Sequence, residues 1–66
     1  MQVWINGEQR ALADGARVHD ALAELGAPEN GVAVAVDGEV VPRAEWSTVV
    51  LADGARIEVL TAVQGG

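Results

Sequence analysis

At Asn6-Gly7, Asp14-Gly15, Asp37-Gly38 and Asp53-Gly54 a glycine directly follows an asparagine or aspartate. Such pairs accept left-handed backbone and reverse the chain within two residues. In a chain of 66 residues they leave only short runs between reversals, so hairpins must dominate and one long helix is ruled out. Each of these glycines is a turn residue and none belongs to a phosphate-cradling loop, so no nucleotide site is expected. A domain this small buries only about 60% of the surface its unfolded chain exposes. That leaves little room for an enclosed active site.

The runs between the turns have distinct periods. Gln2 to Asn6 is a β-branched and aromatic run, and Glu8 to Ala13 is expected to return antiparallel after Asn6-Gly7. Alternation puts Val3 and Ile5 on one face and Trp4 on the other. Val18, Ala21, Leu22 and Leu25 then recur at helical spacing, with His19, Asp20 and Glu24 opposite. Gly26 and Pro28 stop that helix near Leu25. Val32 to Val36 predicts a third strand, Glu39 to Val41 a brief fourth ended by Pro42, and Arg43 to Trp46 a helical turn. Arg56 to Val63 is the longest strand candidate. The hexapeptide Leu12-Ala13-Asp14-Gly15-Ala16-Arg17 recurs as Leu51-Ala52-Asp53-Gly54-Ala55-Arg56. Helical periodicity follows the first copy and period-two alternation the second, so the flanks and not the turn decide the element.

Two hairpins, one covering helix and a final strand make an α+β domain of the β-grasp, or ubiquitin-like, kind, with a mixed sheet of four to five strands. No linker divides it, so residues 1–63 form the domain and residues 64–66 a flexible tail. Val3, Ile5, Val34, Val36, Ile57 and Val59 are expected to meet Val18, Leu22 and Leu25 of the helix. Trp4, Ala35, Leu60 and Ala62 then share the uncovered face, and an open face carrying Trp and Leu invites a partner. Trp46, near a tight turn, is expected to pack the domain's edge.

The chemistry concentrates at the C-terminus, where Gln64-Gly65-Gly66 follows the last strand. Glycine pairs add nothing to a core. Two residues without Cβ leave the Gly66 carboxylate unhindered and let the backbone thread a narrow channel, reaching roughly 10 Å past Val63 when extended. A lone terminal Gly-Gly is otherwise no more than a frayed end, so the rest of the chain must give it meaning. There is no Cys, hence no disulfide and no thiolate to hold metal or sulfur. The single His19 has no nucleophile beside it and reads as a solvated surface residue. The scattered carboxylates read as solubility charge. A formal charge of −6, with four Arg and no Lys, opposes nucleic acid and anionic membranes. No basic region followed by an apolar run opens the chain, so it is read as cytoplasmic.

The run Val34-Ala35-Val36-Asp37-Gly38-Glu39-Val40-Val41-Pro42-Arg43, then Trp46, Asp53-Gly54 and Ile57 through Gly66 with its Ala-Val-Gln-Gly-Gly ending, resembles the ThiS family of sulfur carriers in thiamine biosynthesis. The resemblance spans essentially the whole chain. It implies a co-substrate and not an enzyme. A ThiF-type adenylating enzyme would activate Gly66 with ATP, sulfur-donor machinery would convert it to a thiocarboxylate, and a thiazole synthase would accept the sulfur. Gly65 and Gln64 would serve in tail recognition, and the chain itself would bind neither ATP nor metal. A molybdopterin-synthase small-subunit carrier shares the ending but tends to be longer. A ubiquitin-like protein modifier is a further alternative, though without Lys it builds no lysine-linked chains on itself. A plain β-grasp interaction module would make the diglycine incidental.

Overall fold

The computed structural model describes residues 1–28 and 30–61. In chain order its elements are strands β1 (Gln2–Ile5) and β2 (Glu8–Ala11), helix α1 (Val18–Leu25), strands β3 (Val32–Val36) and β4 (Glu39–Val41), a 3-10 turn (Arg43–Glu45) and strand β5 (Arg56–Thr61). The strands form one five-stranded sheet in the order β2-β1-β5-β3-β4. β1 and β5 are parallel and the other neighbours antiparallel. The last strand in sequence is therefore the central strand in space.

The two hairpins reverse as the dipeptides require, with positive φ at both residues: 52° and 82° at Asn6-Gly7, 51° and 84° at Asp37-Gly38. That geometry matches the right-handed twist of the flanking strands. At Asp14-Gly15 and Asp53-Gly54 only the glycine is left-handed, because these turns lead out of and into the sheet and close no hairpin. The repeated hexapeptide folds alike in both places. Ala16 N–H donates to Ala13 at 3.1 Å, Ala55 N–H to Ala52 at 3.0 Å, and Leu51 N–H ties the copies together through the Ala16 carbonyl at 2.8 Å. Beyond that point Val18, Ala21 and Leu22 make the first continuation helical, whereas Ile57 and Val59 make the second a strand.

The start of α1 is served by its neighbours. Asp20 Oδ2 accepts from Arg17 N–H at 2.8 Å, the acidic half of a capping box whose other half Arg17, having no acceptor, cannot supply. Val18 and His19 N–H donate to the carbonyls of Val49 and Trp46 at 3.1 and 2.9 Å, so the segment after β4 satisfies donors the helix leaves free. At the other end Gly26, left-handed at φ 72°, lets Gly26 N–H reach Ala23 O and Ala27 N–H reach Leu22 O, the paired bonds of a Schellman stop.

Val3, Ile5, Val34, Ile57 and Val59 of the sheet are buried against Val18, Ala21 and Leu22. Three expectations change. β2 ends at Ala11 and not Ala13: Leu12 still exchanges hydrogen bonds with Met1, donating to Met1 O at 2.9 Å and accepting from the Met1 amino group at 2.7 Å, but the Asp14-Gly15 turn then carries the chain out of the sheet. Val36 and Leu25 are only partly buried, each being the final residue of its element at the margin of the core. Trp46 is not an edge residue: it is 6% exposed, part of the core cluster, and its Nε1–H donates to Val41 O at 3.0 Å. With Leu51 and Ala55 it closes the core on the side that α1 and the sheet leave open.

Candidate functional site

The sequence that ends in Gly65-Gly66 leaves the fold through β5, so the way β5 is held sets where the C-terminus departs. Its ladder with β3 runs from Val36↔Ile57 to Val32↔Thr61. On the other side β1 pairs only through Trp4↔Arg56 and Ile5↔Ile57, with Asn6 N–H reaching Ile57 O at 2.9 Å. There β1 turns away.

Both hairpin turns grip β5 through their left-handed residues. At its start the Asp37 carboxylate accepts from Arg56 N–H at 2.9 Å, while Asp37 N–H donates to Arg56 O at 2.7 Å. Near its end the Asn6 carboxamide donates through Nδ2 to Val59 O at 3.1 Å and accepts from Val59 N–H at 2.9 Å. A side-chain amide thus stands in for the next backbone amide of β1. The sequence reading assigned Asn6 to a turn alone, and nothing local signals that its side chain reaches 53 positions along the chain.

The sheet face opposite α1 carries the residues expected there. Ala33 stands beside Leu60, Ala35 beside Glu58 on one side and Val40 on the other, and Trp4 beside Arg56. Trp4, Ala35 and Leu60 share this face, but Arg56 and Glu58 of β5 lie between Trp4 and the aliphatic residues. Leu60 and Val40 are 68% and 72% exposed, against 37% for Trp4. Val40 was not singled out from sequence, although the hairpin register across Asp37-Gly38 puts it opposite Ala35. Of the other expected site residues, Ala62, Gln64, Gly65 and Gly66 lie outside the described residues. His19 is exposed on α1. Among the described residues no three His, Cys, Asp or Glu side chains gather as metal ligands, and no helix is long and apolar enough to cross a membrane.

A five-stranded mixed sheet with one covering helix, whose central strand is followed in sequence by Gly65-Gly66, defines a domain of the ubiquitin-like β-grasp class. The ThiS family model matches residues 3–66. The chain is 32% identical over 66 residues to the sulfur carrier protein ThiS of Escherichia coli, covering all of both chains. It is 39% identical over 64 residues to that of Thermus thermophilus, covering 97% of this chain and 98% of the relative. A thiazole synthase of Paramagnetospirillum magneticum also matches, 35% identical over 66 residues, all of this chain and 20% of that protein. The crystal structure of a thiamine biosynthesis protein, ThiS, from Geobacter metallireducens superposes with a TM-score of 0.82 at 28% identity, covering all of both chains. This chain belongs to the ThiS family, the sulfur carrier proteins of thiamine biosynthesis.

Proposed function

We propose that the chain carries sulfur covalently on the carboxylate of Gly66 and delivers it to a thiazole synthase. A carboxylate resists nucleophilic attack because it is charged and oxide is a poor leaving group, so it is first activated. A Gly66 oxygen attacks the α-phosphorus of ATP held by a ThiF-type adenylating enzyme, pyrophosphate leaves, and an acyl adenylate forms. The outer sulfur of a cysteine-derived donor persulfide attacks the acyl carbon and the carbon–oxygen bond to AMP breaks; a second thiol then attacks the donor's inner sulfur, the sulfur–sulfur bond of the acyl disulfide breaks, the two thiols end as a disulfide, and a thiocarboxylate remains. This is a better nucleophile than the carboxylate, and its tether to a folded domain keeps reactive sulfide from being released. Catalysis belongs to the partners, and ATP binds to them.

The observation that carries this reading is the placement of β5. A central strand, paired with β3 along its length and with β1 at its start, and clipped at Arg56 and Val59, gives the C-terminal sequence a firm base. Gln64 and Gly65 serve in recognition, since a partner channel can close around backbone that has no Cβ at its last two positions. The uncovered face, with Trp4, Ala35, Val40 and Leu60, is where the adenylating enzyme and the sulfur acceptor dock, in turn because both take up the same tail. Support for the acceptor comes from the thiazole synthase of which this chain matches a fifth.

Incubation with the cognate adenylating enzyme, ATP and a sulfur source is expected to yield a C-terminal thiocarboxylate, read by intact mass as one oxygen replaced by sulfur. A single residue appended after Gly66 is expected to prevent it. Equal conversion of the extended protein would refute Gly66 as the covalent site.

A further inference from the structure

We infer that Asn6 is a positioning residue for tail delivery: its carboxamide fixes the last turn of the β5 ladder and thereby the direction in which the C-terminal residues leave the domain. The inference rests on the carrier reading above. It starts from an asymmetry in how β5 is supported. On the β3 side pairing continues to Thr61, opposite Val32. On the β1 side backbone pairing stops with Asn6 N–H on Ile57 O at 2.9 Å, because the next residue, Gly7, belongs to the hairpin turn. Without Asn6 the amide and carbonyl of Val59 would face a void in the ladder two residues before the strand ends. Both groups are instead taken by one planar carboxamide, at 2.9 and 3.1 Å.

A side chain can do this only from one backbone state. Asn6 is left-handed, at φ 52°, a conformation that asparagine tolerates better than most residues. The same turn that reverses β1 thus aims the carboxamide along the sheet plane at β5. Asparagine is also the only short side chain with a donor and an acceptor on one sp2 carbon, as a strand neighbour has across its peptide bonds. Serine lacks the reach and the second group; aspartate accepts from Val59 N–H but presents a second acceptor to Val59 O.

The consequence concerns geometry at a distance. A strand held on one side swings about that side, and a small tilt at Val59 is amplified with distance along the residues that follow. An adenylating enzyme that grips the sheet face through other residues then receives Gly66 off line. Docking survives and attack on phosphorus slows, so the loss falls on kcat and not on KM. An ångström of misplacement at a reacting centre can cost about a hundredfold.

Two variants test this. Asn6→Gly keeps the left-handed turn and deletes the clamp; Asn6→Asp keeps the turn and one of the two bonds. Amide hydrogen exchange, which needs no partner, is expected to show Val59 N–H losing roughly fivefold or more of its protection in Asn6→Gly, while Trp4 N–H, bonded to Ala55 O at 2.9 Å, keeps its protection. In ATP-pyrophosphate exchange with the adenylating enzyme, kcat is expected to fall roughly tenfold for Asn6→Gly, less for Asn6→Asp, with KM within about twofold of the parent. Unchanged Val59 protection in Asn6→Gly overturns the clamp itself. Lost protection with an unchanged kcat, or a loss appearing only in KM, overturns the role in delivery. An unmodified protein that the enzyme does not activate overturns the carrier reading, and the delivery role with it, while the exchange data still decide the clamp.

Discussion

Replacing Trp46 by phenylalanine tests how the core is closed. The indole is 6% exposed and its Nε1–H donates to Val41 O at 3.0 Å. Phenylalanine keeps most of the apolar body but removes one of the two donors to Val41 O, which keeps its ladder partner Val34, at a cost of about 0.5–1.5 kcal/mol. The smaller ring leaves part of the site unfilled, which adds to the loss. A domain of this size has a total stability of about 3–10 kcal/mol. A loss of about 2 kcal/mol is thus a large share of it and lowers the melting temperature by about 8–16 °C. Trp46→Ala, at about 3–5 kcal/mol, is expected to leave little folded protein at 37 °C. Far-UV circular dichroism melts measure this, and Trp4→Phe is the control. Trp4 is 37% exposed on the open face, and its replacement is expected to cost no more than about 0.5 kcal/mol. Tryptophan emission gives a second readout: Trp46 alone, in Trp4→Phe, should emit blue-shifted, and Trp4 alone, in Trp46→Phe, red-shifted. A Trp46→Phe protein that melts within about 2 °C of the parent would refute the reasoning.

Deleting Gly65 and Gly66 is expected to abolish activation by the adenylating enzyme while shifting the melting temperature by less than about 4 °C, since neither residue has a side chain to bury. A melt far below the parent would make the diglycine structural. Trp4→Ala is expected to weaken binding to the adenylating enzyme by about 2 kcal/mol with the fold largely kept. Titration alongside thermal melts checks it, and unchanged affinity with a lowered melting temperature would show that Trp4 packs the domain and docks nothing.

Much of the architecture is legible because its signals are local. Asn6-Gly7 and Asp37-Gly38 mark the hairpins, Val18-Ala21-Leu22-Leu25 marks one face of a helix, and Gly26 with Pro28 marks its end. The alternation in Gln2–Ile5 and Arg56–Thr61 separates the buried Val3, Ile5, Ile57 and Val59 from the outward Trp4 and Leu60. Trp46 was harder to read. It sits in a segment with neither helical nor strand period, so no pattern tells whether its ring turns inward. Its place follows from where α1 and the sheet leave the core open. Val40 was hidden by the shortness of β4, three residues in which alternation hardly shows.

The division between sequence and tertiary structure follows the range of the interactions involved. Turn chemistry and periodicity act over a few residues, so the sequence alone determines the order of elements and the buried face of most of them, and it places Gly65-Gly66 just after the last strand. It also determines that the hexapeptide makes the same turn twice. Only the tertiary structure decides that β5 lies between β1 and β3, that Arg56 and Glu58 divide Trp4 from the aliphatic patch, and that Asn6 closes the ladder at Val59. Those arrangements join residues some 50 positions apart, and parallel pairing over such a span is set by the core that both strands cover. No residue of the local sequence can report it.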